Sequence, residues 1–196
     1  MPVGNDVVDL HDPGNQPGVI HPRFDQRVFT DEELSWLEAT PPGRRRHALR
    51  WTLWAAKESV FKLVRQRDTT AAFRPRDFAV RLTAADGAEV SRGSAVYLVE
   101  LDATGERVHA VARDVGRPRP VAGISRSERC PDAGAVSALV RAEAANSVGE
   151  RLGIEPAEIQ IRGKIPQALR HGKRLPVDVS LSHHGRFRAH AVAAGP

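Results

Sequence analysis

Cysteine is almost absent from this chain of 196 residues, since Cys130 is the only one. A single thiol excludes an internal disulfide and is typical of a reducing compartment, so we expect a cytoplasmic protein. The opening residues, Met1 to Asp6, lack the basic and apolar regions of a signal peptide. No apolar run approaches the length of roughly 20 residues that a membrane span needs. We therefore expect no membrane partner.

Aromatic residues are also scarce, at 5% of the chain with one tyrosine. The net charge of +5 favours attraction to polyanions or acidic proteins without choosing between them. A nucleic-acid-binding protein would carry aromatics between its basic residues or a recognised motif, and this sequence has neither pattern. Nucleic-acid binding through the arginine excess is therefore kept only as an alternative function.

Lysine is the third scarce residue, with four lysines against twenty-five arginines. Two of the four, Lys57 and Lys62, lie in one stretch of nine residues, 54–62, inside a helix predicted over 44–62. Helical spacing places an apolar stripe on one side of that helix: Leu49, Leu53, Ala56, Val60 and Leu63. Glu58 and Lys62 stand one turn apart on the opposite side. This pattern fits either an exposed ion pair or a partly dry cleft that holds a metal or a phosphate.

The remaining elements alternate between strands and helices. A buried strand is expected over residues 3–10, where Asp6 needs a cation, a metal or a turn amide as partner. Thr30 and Glu33 form a capping box that begins a helix reaching about Leu37. The other predicted elements are strands at 77–82, 95–101, 107–112, 159–162, 175–181 and 187–193 and a helix at 135–152.

The second part of the chain repeats the first. Residues 99–112 resemble residues 179–193, and a helix precedes the strands in both cases. The repeat predicts an α+β fold of two similar halves, each with a long helix packed on a small antiparallel sheet. We expect the first half at 1–116, a proline- and glycine-rich linker at 117–134 and the second half at 135–196.

Two short motifs resemble the signatures of the 4′-phosphopantetheinyl transferase superfamily. The first is Gly4-Asn5-Asp6 at a strand start, and the second is Trp54-Ala55-Ala56-Lys57-Glu58-Ser59-Val60-Phe61-Lys62 on a helix. Ser180-Leu181-Ser182-His183 is similar to the Ser-His element of the same family, and Gly172-Lys173 is similar to a segment that precedes it. The order of these motifs, and Val8 in place of a second acid, resemble the small holo-acyl-carrier-protein synthases.

The resemblance implies a reaction in which phosphopantetheine moves from coenzyme A to a serine of an acidic acyl or peptidyl carrier protein. It implies that Asp6 and Glu58 hold Mg²⁺, an ion that takes carboxylate and phosphate oxygens. Either Glu58 or neutral Lys62 would take the serine proton. The implied contacts of coenzyme A are Lys57, Lys62, Lys173, Ser182 and His183. An inactive family member that serves as a binding partner in a biosynthetic complex is the second alternative.

Overall fold

A computed structural model describes residues 1–84, 86–127 and 132–194. Cys130 therefore lies outside the described residues. The helices are α1 (Phe24–Val28), α2 (Asp31–Ala39), α3 (Arg44–Arg67) and α4 (Ala133–Leu152). The strands are β1 (Gly4–Asp9), β2 (Ala79–Ala84), β3 (Gly87–Arg92), β4 (Ala95–Ala103), β5 (Arg107–Asp114), β6 (Val121–Arg126), β7 (Ile159–Arg162), β8 (Gln167–Arg170), β9 (Lys173–His184) and β10 (Phe187–Ala194). None of the helices in these ranges is long and apolar enough to cross a membrane.

The strands form two five-stranded antiparallel sheets with the same internal order. The first runs β1-β5-β4-β3-β2 and the second runs β6-β10-β9-β8-β7. In each sheet the first strand is followed by a long helix and then by four strands that pair in sequence, the last of which returns to the first. The predicted α+β class with two similar halves is confirmed by this repeated order.

The predicted linker contains a strand, which corrects that part of the sequence interpretation. Strand β6 pairs with β10 and so belongs to the second sheet. The sequence interpretation took Gly123 as a sign of a loop. In the structure Gly123 lies within β6 and packs against a neighbouring side chain. A Cβ atom at residue 123 would lie 2.5 Å from Cε1 of His190 on the neighbouring strand. Only glycine leaves room for that imidazole ring.

Helix α3 is the centre of the first half, and its predicted apolar stripe is confirmed. Leu53, Ala56, Val60 and Leu63 are fully buried against the first sheet. The helix extends five residues beyond the predicted end at Lys62 and finishes at Arg67. Its other sides are covered as well, since Ala55, Lys57 and Ser59 are also fully buried among the described residues. On the middle of this helix Glu58 and Lys62 are only partly exposed.

Strand β1 passes so close to α3 that its first residue must be glycine. A Cβ atom on Gly4 would lie 1.8 Å from the carbonyl oxygen of Ser59 and 2.8 Å from the amide nitrogen of Leu63. Both atoms belong to helix backbone, so neither moves without bending α3. The glycine of the first motif therefore sets the distance between the strand that carries Asp6 and the helix that carries Glu58.

This close approach predicts that Gly4→Ala lowers the free energy of unfolding by about 3 kcal/mol or more, the upper end of the cost of overpacking. Urea denaturation followed by circular dichroism measures the change. Gly18→Ala is the matched control, because a Cβ atom at residue 18 meets no atom within 4 Å. Equal stability of the two variants would show that β1 does not pack on α3 at this distance.

The two halves meet along the outer edge of β1. The backbone N–H groups of Asn5, Val7 and Asp9 point away from the first sheet, and each donates to a side chain of β9. The acceptors are Ser180 Oγ at 2.9 Å, Ser182 Oγ at 3.2 Å and His184 Nδ1 at 3.2 Å. Side chains of alternate β9 residues therefore satisfy the edge of β1, in place of a further strand.

An ion pair reinforces the same boundary. Arg186 donates two guanidinium hydrogen bonds to the Asp9 carboxylate, at 2.8 and 2.7 Å. Burial by itself raises the pKa of Asp9, but the hydrogen bonds from Arg186 and from the His11 amide outweigh burial and lower it to about 2. The carboxylate therefore stabilises the fold at and above pH 4, and this contribution is lost as the pH falls toward 2.

Candidate functional site

The predicted site residues Asp6, Glu58, Lys62 and His183 gather where the two halves meet. β1 supplies Asp6, α3 supplies Glu58 and Lys62, and β9 supplies His183. Two cavities open on either side of this group and share Glu58 and His183. We call them the basic cavity, lined by Glu58, Lys62, Arg65, Arg141, Lys164 and His183 among others, and the aromatic cavity, lined by Asp6, Phe24, Trp51, Trp54, Glu58 and His183 among others.

Asp6 is held by two groups through one of its oxygens. The ammonium of Lys62 donates to Oδ1 at 2.8 Å, and the hydroxyl of Ser182 donates to the same oxygen at 2.8 Å. Oδ2 makes no hydrogen bond to any residue in the described ranges. Lys62 therefore pairs with Asp6 across the two elements, whereas the sequence had suggested Glu58 as its partner along the helix.

Glu58 has no hydrogen bond and no ion pair among the residues that the structure describes. Burial raises the pKa of its carboxyl to about 7. The nearby Asp6 carboxylate raises the pKa further, while Lys62 and Arg65 oppose the increase. A half-buried carboxyl without a partner, beside a second carboxylate, is electrostatically suited to receive a cation.

The residues present fit a magnesium ion that completes its coordination elsewhere. No group of three or more histidine, cysteine, aspartate or glutamate side chains is arranged to hold a metal within the described ranges. Mg²⁺ is bound through one or two carboxylates together with waters and substrate phosphates, and does not need a full set of protein ligands. Asp6 and Glu58 line the same cavity, so Oδ2 of Asp6 and the carboxyl of Glu58 would supply such a partial set.

The raised pKa of Glu58 leads to a pH-dependent prediction. In the metal-free protein the Glu58 carboxyl should titrate near pH 7, and a divalent cation bound beside it would lower that midpoint, because a cation favours the ionised form. Carbon-13 NMR of glutamate carboxyl groups follows the titration, and Glu58→Gln identifies the resonance by removing it. Titration of every glutamate below pH 5 in the metal-free protein would contradict the burial argument.

Lys57 does not belong to the site, although the resemblance implied that it contacts coenzyme A. It is 0% exposed, and its ammonium lies 2.7 Å from Oε2 of Glu33 on α2. It also donates to the backbone carbonyl of Pro75 at 3.1 Å and to that of Phe78. This position argues against any contact with a ligand, because the ammonium is already fully engaged in the core.

Ser182 and Lys173 also lie differently from what the resemblance implied. Ser182 faces β1 while His183, the next residue on the strand, faces the cavities, as alternation along a strand requires. Lys173 begins β9, ten positions before His183, which corresponds to roughly 30 Å along an extended strand. Lys173 does not line either cavity.

Three cations that sequence reasoning had not selected line the basic cavity. Arg65 extends from α3, Arg141 from α4 and Lys164 from the turn between β7 and β8. Arg141 donates to the carbonyls of Ile161 and Gly163, at 2.9 and 3.1 Å, and so holds that turn in place. None of the three has an ion pair within the described part of the chain.

The basic cavity is therefore predominantly positive. Among its lining residues four carry a positive charge and only Glu58 is acidic. Such a cavity favours a ligand with several negative charges, since each unpaired cation attracts an anion in a partly desolvated space. A signal for Arg141 was present in the sequence, where Arg141-Ala142-Glu143 occupies the place in α4 that Lys57-Glu58 occupies in α3.

The two sheets, the helix that carries Glu58 and Lys62, and the cationic cavity between the halves are typical of a protein that binds a phosphorylated ligand. The family model described as the 4′-phosphopantetheinyl transferase superfamily matches residues 2–112. The chain belongs to that superfamily.

One solved structure that resembles this chain is holo-[acyl-carrier-protein] synthase (AcpS) of Thermotoga maritima. It shares 13% sequence identity over 88% of this chain and 84% of that chain, with a TM-score of 0.42. No curated protein sequence matches the chain.

Proposed function

We propose that this protein transfers 4′-phosphopantetheine from coenzyme A to a serine of an apo acyl or peptidyl carrier protein and releases adenosine 3′,5′-bisphosphate. The observation that carries the proposal is the convergence of Asp6, Glu58 and unpaired cations at one boundary between the halves. The serine hydroxyl attacks one phosphorus of a pyrophosphate, so the reaction needs a metal site beside an anion site. The predicted cytoplasmic location is part of the same proposal.

In this proposal Asp6 and Glu58 would hold Mg²⁺, and the ion would supply positive charge beside the pyrophosphate. His183 lines both cavities and donates a hydrogen bond to the same phosphates. The ammonium of Lys62 already donates to Asp6 at 2.8 Å and to Ser182 at 3.2 Å. Of the two groups that could receive the serine proton, Glu58 makes no hydrogen bond or ion pair with the described residues, whereas Lys62 would first have to lose the proton that it donates to Asp6.

The two cavities suit the two substrates. The basic cavity suits coenzyme A, whose phosphates would meet Arg65, Arg141 and Lys164. The aromatic cavity approaches Glu58 and Asp6 from the other side and suits the serine of the carrier protein. Arg44 and Arg45 are exposed at the start of α3 and are available to an acidic carrier surface, whereas Arg46 bonds to the carbonyl of Thr40 at 2.6 Å.

Mass spectrometry of an apo carrier protein incubated with coenzyme A, Mg²⁺ and this protein tests the proposal. The carrier should gain the mass of one phosphopantetheine group, and the gain should disappear when Mg²⁺ is chelated. Binding of a carrier protein without any mass gain, across several acyl and peptidyl carriers, would favour the inactive partner. Salt-sensitive retention on DNA that exceeds carrier binding would favour the nucleic-acid alternative.

The basic cavity yields a paired prediction about lysines. Lys164→Glu should raise KM for coenzyme A by at least about tenfold, since an attractive contact becomes repulsive, and should leave kcat nearly unchanged. Lys173→Glu makes the same charge change on an exposed lysine outside the cavity and should leave KM unchanged. Steady-state kinetics with a fixed carrier protein compares the two. A larger effect at residue 173 would restore the original assignment of that lysine.

A further inference from the structure

Ser182 is placed differently from a side chain that contacts a ligand. Its hydroxyl has one proton and two lone pairs. The proton is donated to Oδ1 of Asp6 at 2.8 Å. The lone pairs accept from the backbone N–H of Val7 and from the ammonium of Lys62, both at 3.2 Å. All of its hydrogen-bonding capacity is used within the protein, and the residue is 6% exposed.

These contacts fix Asp6 at two points. The bond from Val7 N–H holds the backbone immediately after Asp6, and the bond to Oδ1 holds the side chain itself. Lys62 donates to the same Oδ1 at 2.8 Å, so one carboxylate oxygen is occupied by two donors. Oδ2 has no hydrogen bond to the described residues, and Asp6 lines the aromatic cavity together with Glu58.

We propose that Ser182 is a positioning residue, which fixes Oδ1 of Asp6 and leaves Oδ2 as the oxygen offered to the metal. The inference rests on the proposed function, because it assigns a role within the same metal site. It replaces the implied role of Ser182 as a contact of coenzyme A. Groups that orient a metal ligand through a hydrogen bond affect metal affinity strongly, although they do not touch the ion.

Ser180 provides a matched control on the same strand. Its hydroxyl accepts the backbone N–H of Asn5 at 2.9 Å, as Ser182 accepts that of Val7. Ser180 makes no hydrogen bond to the Asp6 side chain. Ser180→Ala and Ser182→Ala therefore each remove one hydroxyl that closes the edge of β1, and only the second removes a hydrogen bond to Asp6.

The test measures the dissociation constant of Mn²⁺, as a probe for Mg²⁺, by electron paramagnetic resonance in the presence of coenzyme A. Ser182→Ala should weaken Mn²⁺ binding by about tenfold or more. Ser180→Ala should leave Mn²⁺ binding within about twofold of the parent, although both variants lower Tm. Ser182→Thr retains the hydroxyl and should recover most of the affinity. The KM for coenzyme A at saturating Mg²⁺ should be the same in Ser182→Ala and the parent.

Three results would overturn the inference. Equal Mn²⁺ affinities of the two alanine variants would mean that Ser182 only satisfies the backbone edge of β1. A raised KM for coenzyme A with unchanged Mn²⁺ affinity would make it a phosphate contact. If the parent protein binds coenzyme A but no Mn²⁺, the proposed metal site does not exist. Failure of the transferase proposal looks different, because a parent that binds Mn²⁺ but transfers nothing still permits the comparison of affinities.

Discussion

Glu58→Gln should abolish Mg²⁺-dependent transfer and at the same time stabilise the metal-free protein above pH 7. The amide keeps the volume of the side chain and removes the charge that a metal needs. The Glu58→Gln variant should therefore give no detectable transfer in the mass-spectrometric assay. Folding should be intact, since Glu58 makes no hydrogen bond or ion pair within the described residues.

The gain in stability follows from the raised pKa. The carboxyl has a pKa of about 7 in the folded protein, raised by burial from 4.5. The folded state therefore binds more protons than the unfolded state between these values, and the contribution of Glu58 to stability falls as the pH rises from 4.5 to 7. Glutamine avoids this cost. The rise in pKa corresponds to about 3 kcal/mol, so the expected increase in Tm at pH 8 is about 6–12 °C, at about 2–4 °C per kcal/mol for a chain of this size.

Calorimetric scans at pH 5 and pH 8 measure the difference, and added Mg²⁺ with coenzyme A should restore the stability of the parent relative to the variant. Glu150→Gln is the control, because it makes the same chemical change at an exposed residue of α4. Unchanged turnover in Glu58→Gln would remove Glu58 from the active site. A lower Tm at both pH values would show that its carboxylate supports the fold.

Lys57→Met should lower the free energy of unfolding by about 3–5 kcal/mol, the cost of leaving a buried charge without its partner. Oε2 of Glu33 lies 2.7 Å from the Lys57 ammonium, and Oε1 of Glu33 accepts the backbone N–H of Val80 at 2.7 Å. Removal of the lysine leaves the Glu33 carboxyl in the core without its cation and two backbone carbonyls short of a donor. Total stability is about 5–15 kcal/mol, so this loss is a large part of it.

Urea denaturation measures the effect, and a second substitution separates charge from packing. Adding Glu33→Gln to Lys57→Met removes the stranded charge, but the amide has one oxygen for two N–H groups, those of Thr30 and Val80, which the two carboxylate oxygens accept in the parent. The double variant should therefore recover only part of the lost stability. If Lys57→Met instead unfolds like the parent and shows only a higher KM for coenzyme A, the lysine contacts the ligand as the resemblance implied.

The case of Lys57 shows how far sequence periodicity reaches. Helical spacing correctly identified the apolar stripe of α3, because that stripe depends only on distances along one helix. It could not tell which polar positions α2 would cover. The capping box at Thr30 was predicted and is present, but its glutamate also extends into the core to meet Lys57. That second role depends on the packing of two helices, which no local pattern records.

The strands show the same division between local and tertiary information. The hairpin of β4 and β5 and its counterpart of β9 and β10 were recognised, because their alternation is regular and repeats within the chain. Strands β3 and β8 were missed, since Gly87–Arg92 and Gln167–Arg170 contain few residues that favour strands. Their formation depends on neighbours that already pair.

At the candidate site, several motif residues lie together, but their contacts could not be read from the motifs. Asp6 and Glu58 lie at one boundary because a glycine-spaced strand and a helix meet there. Lys164 rather than Lys173 lines the basic cavity because of the position of the β7–β8 turn beside α4, which Arg141 holds through two backbone carbonyls. Contacts between residues so distant in the sequence leave no trace in its spacing.

The most direct test of the metal site is a crystal structure of the protein with coenzyme A and Mn²⁺, with the ion located by its anomalous scattering. The account predicts one strong peak between Oδ2 of Asp6 and the carboxylate of Glu58, beside the pyrophosphate, with Oδ1 still bonded to Ser182 and Lys62. An ion bound elsewhere, or carboxylates too far apart to share one ion in the loaded protein, would contradict it.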